Sequence, residues 1–276
     1  MSLQVSAIVP TKNNERTIGA LVRSLRDQRP SVGEIIVVDG KSTDRTVEIA
    51  TLCGARVVSY DRLGDQRAFA RNLGAECAKG DVFVFLDSDM EFQSGIIEEC
   101  VARIESGADG VVIPEMNLGS GLIGLARSWE RRLIERDNLT VVARVVRCSV
   151  FTKIGGFDSH VTGFEDLDFQ ARLLEGRFRL DRSTTPLIHH EEGQNLLTYL
   201  RKRLYYMRSA ALYCRKHPGL ATSAFSVHRR FQTYLSGLQS PRDVLPFLTA
   251  IILRGIEVVA MHIVFSVDHS TTTPGE

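Results

Sequence analysis

Over the first 115 residues, short runs of consecutive apolar residues alternate with segments in which apolar residues recur every three or four positions. The runs predict buried β-strands, and the recurring spacing predicts helices that cover the strands with one face. Strands separated by helices of this length favour right-handed crossovers, so the pattern predicts a mostly parallel sheet with helices on both faces. The predicted strands are 5–9, 34–39, 55–59, 81–87 and 110–113, and the predicted helices are 18–25, 41–52, 65–78 and 96–105.

The pattern is less regular up to residue 192 and then changes in character. Residues 195–217 are helical by pattern and strongly basic, and residues 244–267 are nearly all apolar. We therefore expect an α/β domain at 1–192, a basic helical segment at 193–242, and an apolar C-terminal helix with a disordered tail at 243–276. Within the first region, the pattern also predicts a helix at 122–134, a strand at 140–146, the start of an acidic helix at 164–175 and a loop or edge strand at 183–191.

Composition places the chain among ordinary globular proteins. Its 276 residues are 43% hydrophobic and 24% charged, with a formal charge of +1, which excludes a disordered chain, a collagen-like repeat and a generally basic nucleic-acid-coating protein. The charge is unevenly distributed, with −5 over residues 1–192, +9 over 193–242 and −3 over 243–276. This asymmetry predicts an anionic partner for the middle segment alone.

The cysteines and the N-terminus predict a cytoplasmic protein. The five cysteines are scattered and contain no CxxC pair, so we expect buried thiols in a reducing compartment and neither disulfides nor a zinc site. The N-terminal residues MSLQVSAIVPTKNNER reach charged side chains too early for the apolar core of a secretory signal.

Polar clusters follow three of the predicted strands. They are Pro10-Thr11-Lys12-Asn13-Asn14-Glu15, Asp39-Gly40-Lys41-Ser42 and Asp87-Ser88-Asp89. Aspartate and glycine often only terminate strands. Sheets of this type, however, bind ligands at the carboxyl ends of their strands, and three clusters at three such ends fit one shared crevice.

Asp87 and Asp89 flank a single residue directly after a wholly apolar strand. Two nearby carboxylates repel each other, and a bound cation removes that repulsion. Mg²⁺ and Mn²⁺ prefer oxygen ligands and often bridge to substrate phosphates. No GxGxxG follows the first strand and no GxxxxGK[ST] occurs, which argues against a dinucleotide oxidoreductase and a P-loop NTPase.

Four ordered runs extend together over about residues 4–190: VSAIVPTKNNERTIGALVRSLRDQ, EIIVVDGKSTDRT, ARNLGAECAKGDVFVFLDSDM and GGFDSHVTGFEDLDFQARL. In these runs the chain resembles the family 2 glycosyltransferases with a GT-A fold. The resemblance implies an α/β protein with a Rossmann-like, mostly parallel mixed sheet flanked by helices, and with a C-terminal helical extension. It also implies an inverting, metal-dependent enzyme of the hexosyltransferase type that uses a nucleoside-diphosphate sugar together with Mn²⁺ or Mg²⁺.

The same resemblance assigns residues to the donor and the metal. Asp89 would be a direct metal ligand and Asp87 a metal or ribose ligand, and either His189 or His190 would contact the metal or the diphosphate. Asp39 would accept a hydrogen bond from the base, for which uracil and guanine both fit. The residues implied to hold the nucleotide sugar are Pro10, Lys12, Asn13, Glu15, Asp39, Arg67, Arg71, Asn72 and Asp87.

On the acceptor side, the resemblance implies that Asp166 is the base and that Glu165 orients the acceptor or its loop. A base within hydrogen-bond reach of a sugar hydroxyl removes its proton as attack on the anomeric carbon proceeds. One carboxylate base without a separate nucleophile implies a single displacement and hence inversion. Asp168 is an alternative base, although two residues further along a helix it points to another face. Trp129 and Arg144 are candidates for the acceptor pocket. A tryptophan on a helix such as Trp129 is, however, more often a core residue.

The C-terminal third suggests a membrane partner. Arginine and lysine alternate with aromatic residues in 193–242, which suits nucleic acid or an anionic lipid surface, and the apolar stretch 244–267 favours the lipid surface. Arg254 and Glu257 lie on one helical face and would be costly inside a bilayer. We therefore expect an interfacial or partner-docking helix, rank a helix docked on the protein's own core second, and rank a membrane span third.

The expected partners are a UDP- or GDP-sugar, a glycan or lipid-linked acceptor, and an anionic membrane surface contacted through 193–267. Nucleic acid is not expected, and a homo-oligomer is left open. The expected location is the cytoplasm, with peripheral attachment to the membrane. The alternatives are a nucleotidyltransferase or a non-catalytic, membrane-associated protein that binds nucleotide sugars.

Overall fold

The computed structural model describes residues 3–62, 67–135, 137, 139–161, 163–191 and 196–270, apart from the side chains of 207, 208 and 260–270. These residues form two compact units. The first comprises the parts of the chain up to 116 and from 135 to 190, and the second comprises 117–134 and the part after 190. The expected tail after residue 270 lies outside the described residues, and the division of the chain at 192 and 242 stays a prediction.

Strands are found at nearly every position that the apolar runs indicated. All five strands predicted in the first 115 residues are present, and the strand predicted at 140–146 is observed at Ala143–Arg147. The strands of the described residues are β1 Val5–Thr11, β2 Glu34–Asp39, β3 Arg56–Ser59, β4 Val82–Phe85, β5 Met90–Glu91, β6 Gly110–Val112, β7 Glu115–Leu118, β8 Ala143–Arg147, β9 Leu180–Arg182 and β10 Leu187–His190.

The first unit is built on a seven-stranded mixed sheet with the order β3-β2-β1-β4-β8-β6-β9. Strands β1 to β4 pair in parallel, β8 is antiparallel to both of its neighbours, and β6 pairs in parallel with β9. Since β1, β2 and β4 are parallel neighbours, their carboxyl ends lie at one edge of the sheet. The mostly parallel α/β fold expected from the sequence is therefore confirmed.

Helices cover this sheet and also make up the second unit. In α1 the positions at helical spacing are completely buried, and each such aliphatic side chain contributes about 1.5–3 kcal/mol by leaving water. The helices are α1 Ile18–Arg26, α2 Thr46–Leu52, α3 Arg67–Cys77, α4 Ile96–Glu105, α5 Gly121–Ile134, α6 Cys148–Lys153, α7 Glu165–Glu175, α8 Leu196–Lys216, α9 Pro218–Ala224, α10 Val227–Ser236 and α11 Val244–Ser270.

Helix α3 approaches the central strand unusually closely, because Gly74 faces it. A Cβ atom added at Gly74 would lie 2.4 Å from Cγ2 of Ile8 and 3.0 Å from Cγ2 of Val38. Only glycine allows this separation without displacing the strands. The close approach brings the N-terminal half of α3, with Arg67 and Arg71, to the carboxyl edge of the sheet.

A second, three-stranded sheet has the order β5-β10-β7. Strand β10 runs antiparallel to β5, with His189 opposite Met90. This strand falls in the segment predicted as a loop or edge strand, and its residues 189 and 190 carry the two candidate histidines.

The second unit is helical. Its apolar core consists of Ala126, Trp129, Tyr199, Tyr234, Ala250 and Leu253, so Trp129 is a core residue. Ser240 and Asp243 form a capping box in which each side chain binds the other's backbone, with Pro241 in the first turn of a 3₁₀-helix before α11. No helix among the described residues is long and apolar enough to cross a membrane.

Two expectations are corrected by burial. Arg254 and Glu257 were expected to face an interface or a partner, but Glu257 is buried within the second unit and Arg254 is hydrogen-bonded to the buried Glu130. Only Cys100 of the five cysteines is buried, and the other four are half-buried. All five are free thiols, as expected.

Candidate functional site

The loops after β1 and β2 are tied together by their own polar side chains. The side chain of Asn13 accepts a hydrogen bond from the amide of Thr43 at 2.8 Å, and the carboxylate of Glu15 accepts one from the amide of Arg45 at 3.0 Å. Asn13 and Lys41 both have the left-handed backbone conformation, with φ of 54° and 56°. Asn13 and Glu15 therefore hold the two loops together. Lys12, which lies between β1 and Asn13, is exposed to solvent.

Asp39 ends β2 next to this edge and is almost completely buried. Its carboxylate accepts hydrogen bonds from the amide and the hydroxyl of Ser42, three residues later. Such a turn fixes the orientation of the aspartate. Pro10 lies beside it, paired with Val38 in the neighbouring strand.

Arg71 connects three elements of the first unit. Its Nη2 donates to Oδ1 of Asp87 at 2.8 Å, and its Nη1 donates to Oε1 of Glu165 at 2.9 Å. Arg67 lies one turn earlier in α3, with Nε 3.5 Å from the same oxygen of Glu165. The guanidinium of Arg71 therefore fixes the end of β4 and the start of α7, which are far apart in sequence.

Asn72 differs from its neighbour. Its side-chain amide donates to the carbonyl of Phe157 at 2.8 Å, and its side-chain oxygen accepts from the amide of Phe157 at 2.9 Å. Both polar atoms of Asn72 thus hold the turn of the GGFD motif, and a contact between Asn72 and a donor stays a prediction.

A second buried arginine approaches Asp87 from the other side. Arg144 in β8 donates through Nε and Nη2 to Oε1 of Glu115, at 2.9 and 2.6 Å, and its Nη2 lies 3.5 Å from Oδ2 of Asp87. Burial alone would raise the pKa of Asp87, but Arg71, Arg144 and His189 outweigh it and hold that pKa well below its usual range. Asp87 is therefore an anion that two guanidinium groups already stabilise.

Glu115 is a residue of this site that was not predicted from the sequence. It follows Pro114 directly after the apolar run 110–113, so the rule that singled out the other strand ends applies to it as well. Its carboxylate is buried, and it contacts both Arg144 and His189.

The two candidate histidines face different ways. His189 has Nε2 3.3 Å from Oδ1 of Asp89 and Nδ1 3.3 Å from Oε2 of Glu115. Consecutive strand residues point to opposite faces, and His190 accordingly pairs with Glu91, with 3.0 Å between Nε2 and Oε2. Burial alone would lower the pKa of His189, but the two carboxylates raise it to about 10. The position next to Asp89 thus favours a positive charge.

Asp89 and His189 fit the requirements of a divalent cation only in part. Oδ1 of Asp89 is buried and receives no well-aligned hydrogen bond, although Nε2 of His189 lies 3.3 Å away, so a cation could complete its coordination. Among the described residues, however, no three histidine, cysteine or acidic side chains are grouped so that they could hold a metal by themselves. A metal here would need further oxygen ligands, such as those of a diphosphate.

The three acidic residues at the start of α7 have three different environments. Glu165 is buried, and burial raises its pKa while Arg71 and Arg67 oppose the shift; its Oε2 is a buried atom without a partner. Asp168 is completely buried and accepts from Nε of Arg172 at 2.8 Å. Asp166 is half-buried and accepts from the amide of Leu167 at 2.8 Å. Of the three carboxylates, Asp166 alone accepts no hydrogen bond from an arginine among the described contacts.

Comparison with known proteins identifies the family of this chain. The family model described as "Glycosyl transferase family 2" matches residues 6–157. The pre-mycofactocin glycosyltransferase of Mycobacterium tuberculosis is 27% identical over 232 residues, covering 78% of this chain and 48% of that protein. The chain therefore spans about half the length of this relative.

Two solved structures share the fold. The mannosyltransferase PcManGT from Pyrobaculum calidifontis, in complex with GDP-Man and Mn²⁺, is 16% identical with a TM-score of 0.67, covering 95% of this chain and 87% of that one. Glucosyl-3-phosphoglycerate synthase from Mycobacterium tuberculosis, in complex with Mg²⁺ and uridine diphosphate, is 21% identical with a TM-score of 0.54, covering 78% and 80%. These likenesses confirm the GT-A fold.

Proposed function

The chain belongs to glycosyl transferase family 2, and we propose that it transfers a sugar from a nucleoside-diphosphate sugar to a hydroxyl group of an acceptor. The observation that carries this proposal is the set of ionic contacts in the first unit. They run from Asp89 through His189, Glu115 and Arg144 to Asp87, and from there through Arg71 to Glu165. A series of this kind fixes acidic and basic groups around one crevice, where a charged donor and an acceptor would meet.

The donor is proposed to be a UDP- or GDP-sugar. Asp39, held by Ser42, would accept a hydrogen bond from the base, and Pro10 and Lys12 would lie near the base and ribose. Support comes from the relatives in complex with GDP-Man and with uridine diphosphate. Both bases can donate an N–H group to a carboxylate, so the choice between them stays open.

The cation is proposed to be Mn²⁺ or Mg²⁺, held by Asp89, with His189 as a further ligand once the cation displaces its proton. The buried Oδ1 of Asp89, which receives no well-aligned hydrogen bond, supports this, as do the cations in the two related structures. Asp87 is proposed to orient the ribose and Arg71, because its charge is already balanced by two arginines. When bound, the cation would stabilise the negative charge that develops on the leaving diphosphate.

Asp166 is the proposed base. It would accept the proton of the acceptor hydroxyl as that oxygen forms its bond to the anomeric carbon and the bond to the nucleoside diphosphate breaks. Attack on the side opposite the leaving group inverts the configuration. Glu165 would act through Arg71 by fixing the first turn of α7. The proposed acceptor is a glycan or a lipid-linked sugar.

Peripheral attachment to the cytoplasmic face of the membrane through 193–267 remains part of the proposal. It is supported by the nine basic and no acidic residues in 193–242 and by the apolar sequence of α11.

A donor panel tests the activity. UDP, GDP, CDP and dTDP are compared with and without Mn²⁺ by thermal shift, and a true ligand at a hundredfold excess over its Kd stabilises the protein by about 2.7 kcal/mol. The matching nucleotide sugar is then incubated with the enzyme, and the released product is identified. Nucleoside diphosphate supports the proposal. Pyrophosphate would favour a nucleotidyltransferase, and binding without any release of product would favour a non-catalytic protein.

A further inference from the structure

Helix α11 buries charged side chains among apolar ones and also exposes apolar side chains, in contrast to an ordinary surface helix. The face that packs within the second unit carries Arg254 and Glu257 together with Ala250 and Leu253. The opposite face carries apolar residues spaced so that they form one stripe along the helix. This outward stripe consists of Leu245, Leu248, Ile252 and Val259, which are 50–63% exposed.

The charged side chains of α11 can be buried because each is paired with other polar groups. Glu130 accepts from Arg230 at 2.8 Å and from Nε of Arg254 at 3.1 Å, and it also accepts from the hydroxyl of Tyr234. Glu257 pairs with Arg203, with 2.8 Å between Nε and Oε1, and it accepts from the hydroxyl of Tyr199. Charges that are paired in this way can be buried, and the apolar side chains of α11 are then left for the outside.

Exposed apolar side chains are concentrated in this unit. Among the described residues, only two of the large apolar side chains that are well exposed, Leu52 and Met116, belong to the first unit. In the second unit α10 also carries an exposed stripe, formed by Val227, Phe231 and Leu235. Apolar patches of this extent on one part of a protein mark an interaction surface.

The charges of the second unit indicate what the surface meets. All four acidic side chains that the structure describes there are hydrogen-bonded within the unit, and three of them are buried; the four are Glu130, Glu191, Asp243 and Glu257. Among the described residues of this unit, the exposed charged side chains are therefore all basic. They include Arg132, Arg201, Lys202, Arg215, Lys216 and Arg242.

We propose that the outward stripe of α11 inserts into the headgroup region of an anionic lipid membrane, to which the basic side chains of the second unit draw it. This deepens the peripheral attachment proposed above and rests on it. Basic residues near such a surface are attracted to its anionic headgroups and strengthen binding. A second copy of the chain fits less well, because it would bring the same positive charge to the contact.

Vesicle sedimentation with the full chain tests the proposal. The protein is mixed with vesicles of phosphatidylcholine alone or of equal parts phosphatidylcholine and phosphatidylglycerol, without donor, metal or acceptor. We expect at least tenfold tighter binding to the anionic vesicles and a loss of that preference in high salt. Because catalysis is not needed, failure here is distinguishable from failure of the proposed transferase activity, which the donor panel measures.

Variants locate the contact. The double substitution Leu248→Gln and Ile252→Gln should weaken vesicle binding by about tenfold or more, since it removes two apolar side chains from the contact. Leu52→Gln, at a position in α2 that is 77% exposed, is the matched control and should leave binding unchanged. Arg201→Gln with Lys202→Gln should weaken binding to anionic vesicles only.

The results that overturn the proposal are equally definite. Absent binding to both vesicle types rejects a membrane surface, and equal binding rejects the attraction by basic side chains. A double variant that binds like the wild type rejects the α11 stripe as the contact. A dimer seen by light scattering that dissociates in the double variant, without vesicle binding, would assign the stripe to a second copy of the chain. Thermal unfolding of each variant shows whether the substitutions leave the fold intact.

Discussion

Two regions of this molecule bury carboxylates against arginines, and they differ in what remains unsatisfied. In the first unit, Arg71 and Arg144 bind Asp87, Glu165 and Glu115. In the second unit, Glu130 and Glu257 are bound by arginines and tyrosine hydroxyls. Buried oxygens that receive no well-aligned hydrogen bond occur in the first unit, at Oδ1 of Asp89 and Oε2 of Glu165, whereas no oxygen of Glu130 or Glu257 is among such atoms.

The difference indicates what each network does. A buried polar atom without a partner costs about 1–3 kcal/mol, so it persists where a ligand completes it. A network whose members are all satisfied instead orients the elements that it joins. We therefore expect substitutions in the first network to change ligand binding and turnover, and substitutions in the second to change stability.

The largest effect is expected from Asp166→Asn. If Asp166 is the base, kcat should fall by about 10²–10⁴-fold because the amide cannot accept the proton, while donor binding should change little. Initial rates with a saturating donor measure this, and urea unfolding shows that the fold is retained. If a folded Asp166→Asn variant kept wild-type turnover, Asp166 would not be the base.

The second network should respond in stability. Glu130→Gln removes the charge that balances Arg230 and Arg254, and breaking a buried ion pair from one side costs about 3 kcal/mol or more of the free energy of unfolding. The midpoint and slope of urea unfolding measure this. Glu48→Gln, in an exposed pair with Arg45, is the control and should leave the midpoint unchanged. If both variants unfold alike, the buried network does not stabilise the second unit.

Glu115 and Glu91 offer a matched comparison within the first unit. Each pairs with a neighbouring histidine of β10, but only His189, the partner of Glu115, faces Asp89. A carboxylate that orients a metal-binding histidine typically contributes 10–100-fold to metal affinity. Glu115→Gln should weaken Mn²⁺ binding by about that factor in a calorimetric titration with nucleoside diphosphate present, and Glu91→Gln should not. Equal losses of Mn²⁺ affinity in the two variants would show that His189 does not bind the metal.

The smallest effect concerns a satisfied carboxylate of the first unit that lies outside the site. Hydrogen bonds from Arg103, Thr184 and Thr185 outweigh the effect of burial and lower the pKa of Glu99 to about 2. Its stabilising contribution is present above its ordinary pKa and is lost as the pH falls toward 2. The difference in unfolding free energy between wild type and Glu99→Gln, about 1.5 kcal/mol at pH 7 by the lower end of the usual strength of charged hydrogen bonds, should therefore shrink between pH 5 and pH 3. A constant difference would show that Glu99 is not ionised preferentially in the folded state.

Local pattern was enough to predict most of the fold. The strand Glu34–Asp39 was predicted with its observed bounds, because β-branched residues bounded by polar ones leave little choice at short range. The capping box at Ser240 was likewise readable, since its partners are three residues apart. The inward direction of Arg254 and Glu257 could not be predicted from local sequence, because their partners Glu130 and Tyr199 are more than fifty residues away.

The sequence alone determined the sheet, the family and the residues that line the carboxyl ends of the strands, since these follow from periodicity and from ordered local motifs. Only the tertiary structure decided that His189 and not His190 faces Asp89, that Asn72 holds a backbone turn, and that Glu115 joins the site. It also turned Arg254 and Glu257 of α11 inward and left a stripe of apolar side chains exposed. The physical reason is common to all of these: a side chain's chemistry is local, whereas the partner that satisfies its charge or hydrogen bond is chosen by contacts between segments far apart in the chain.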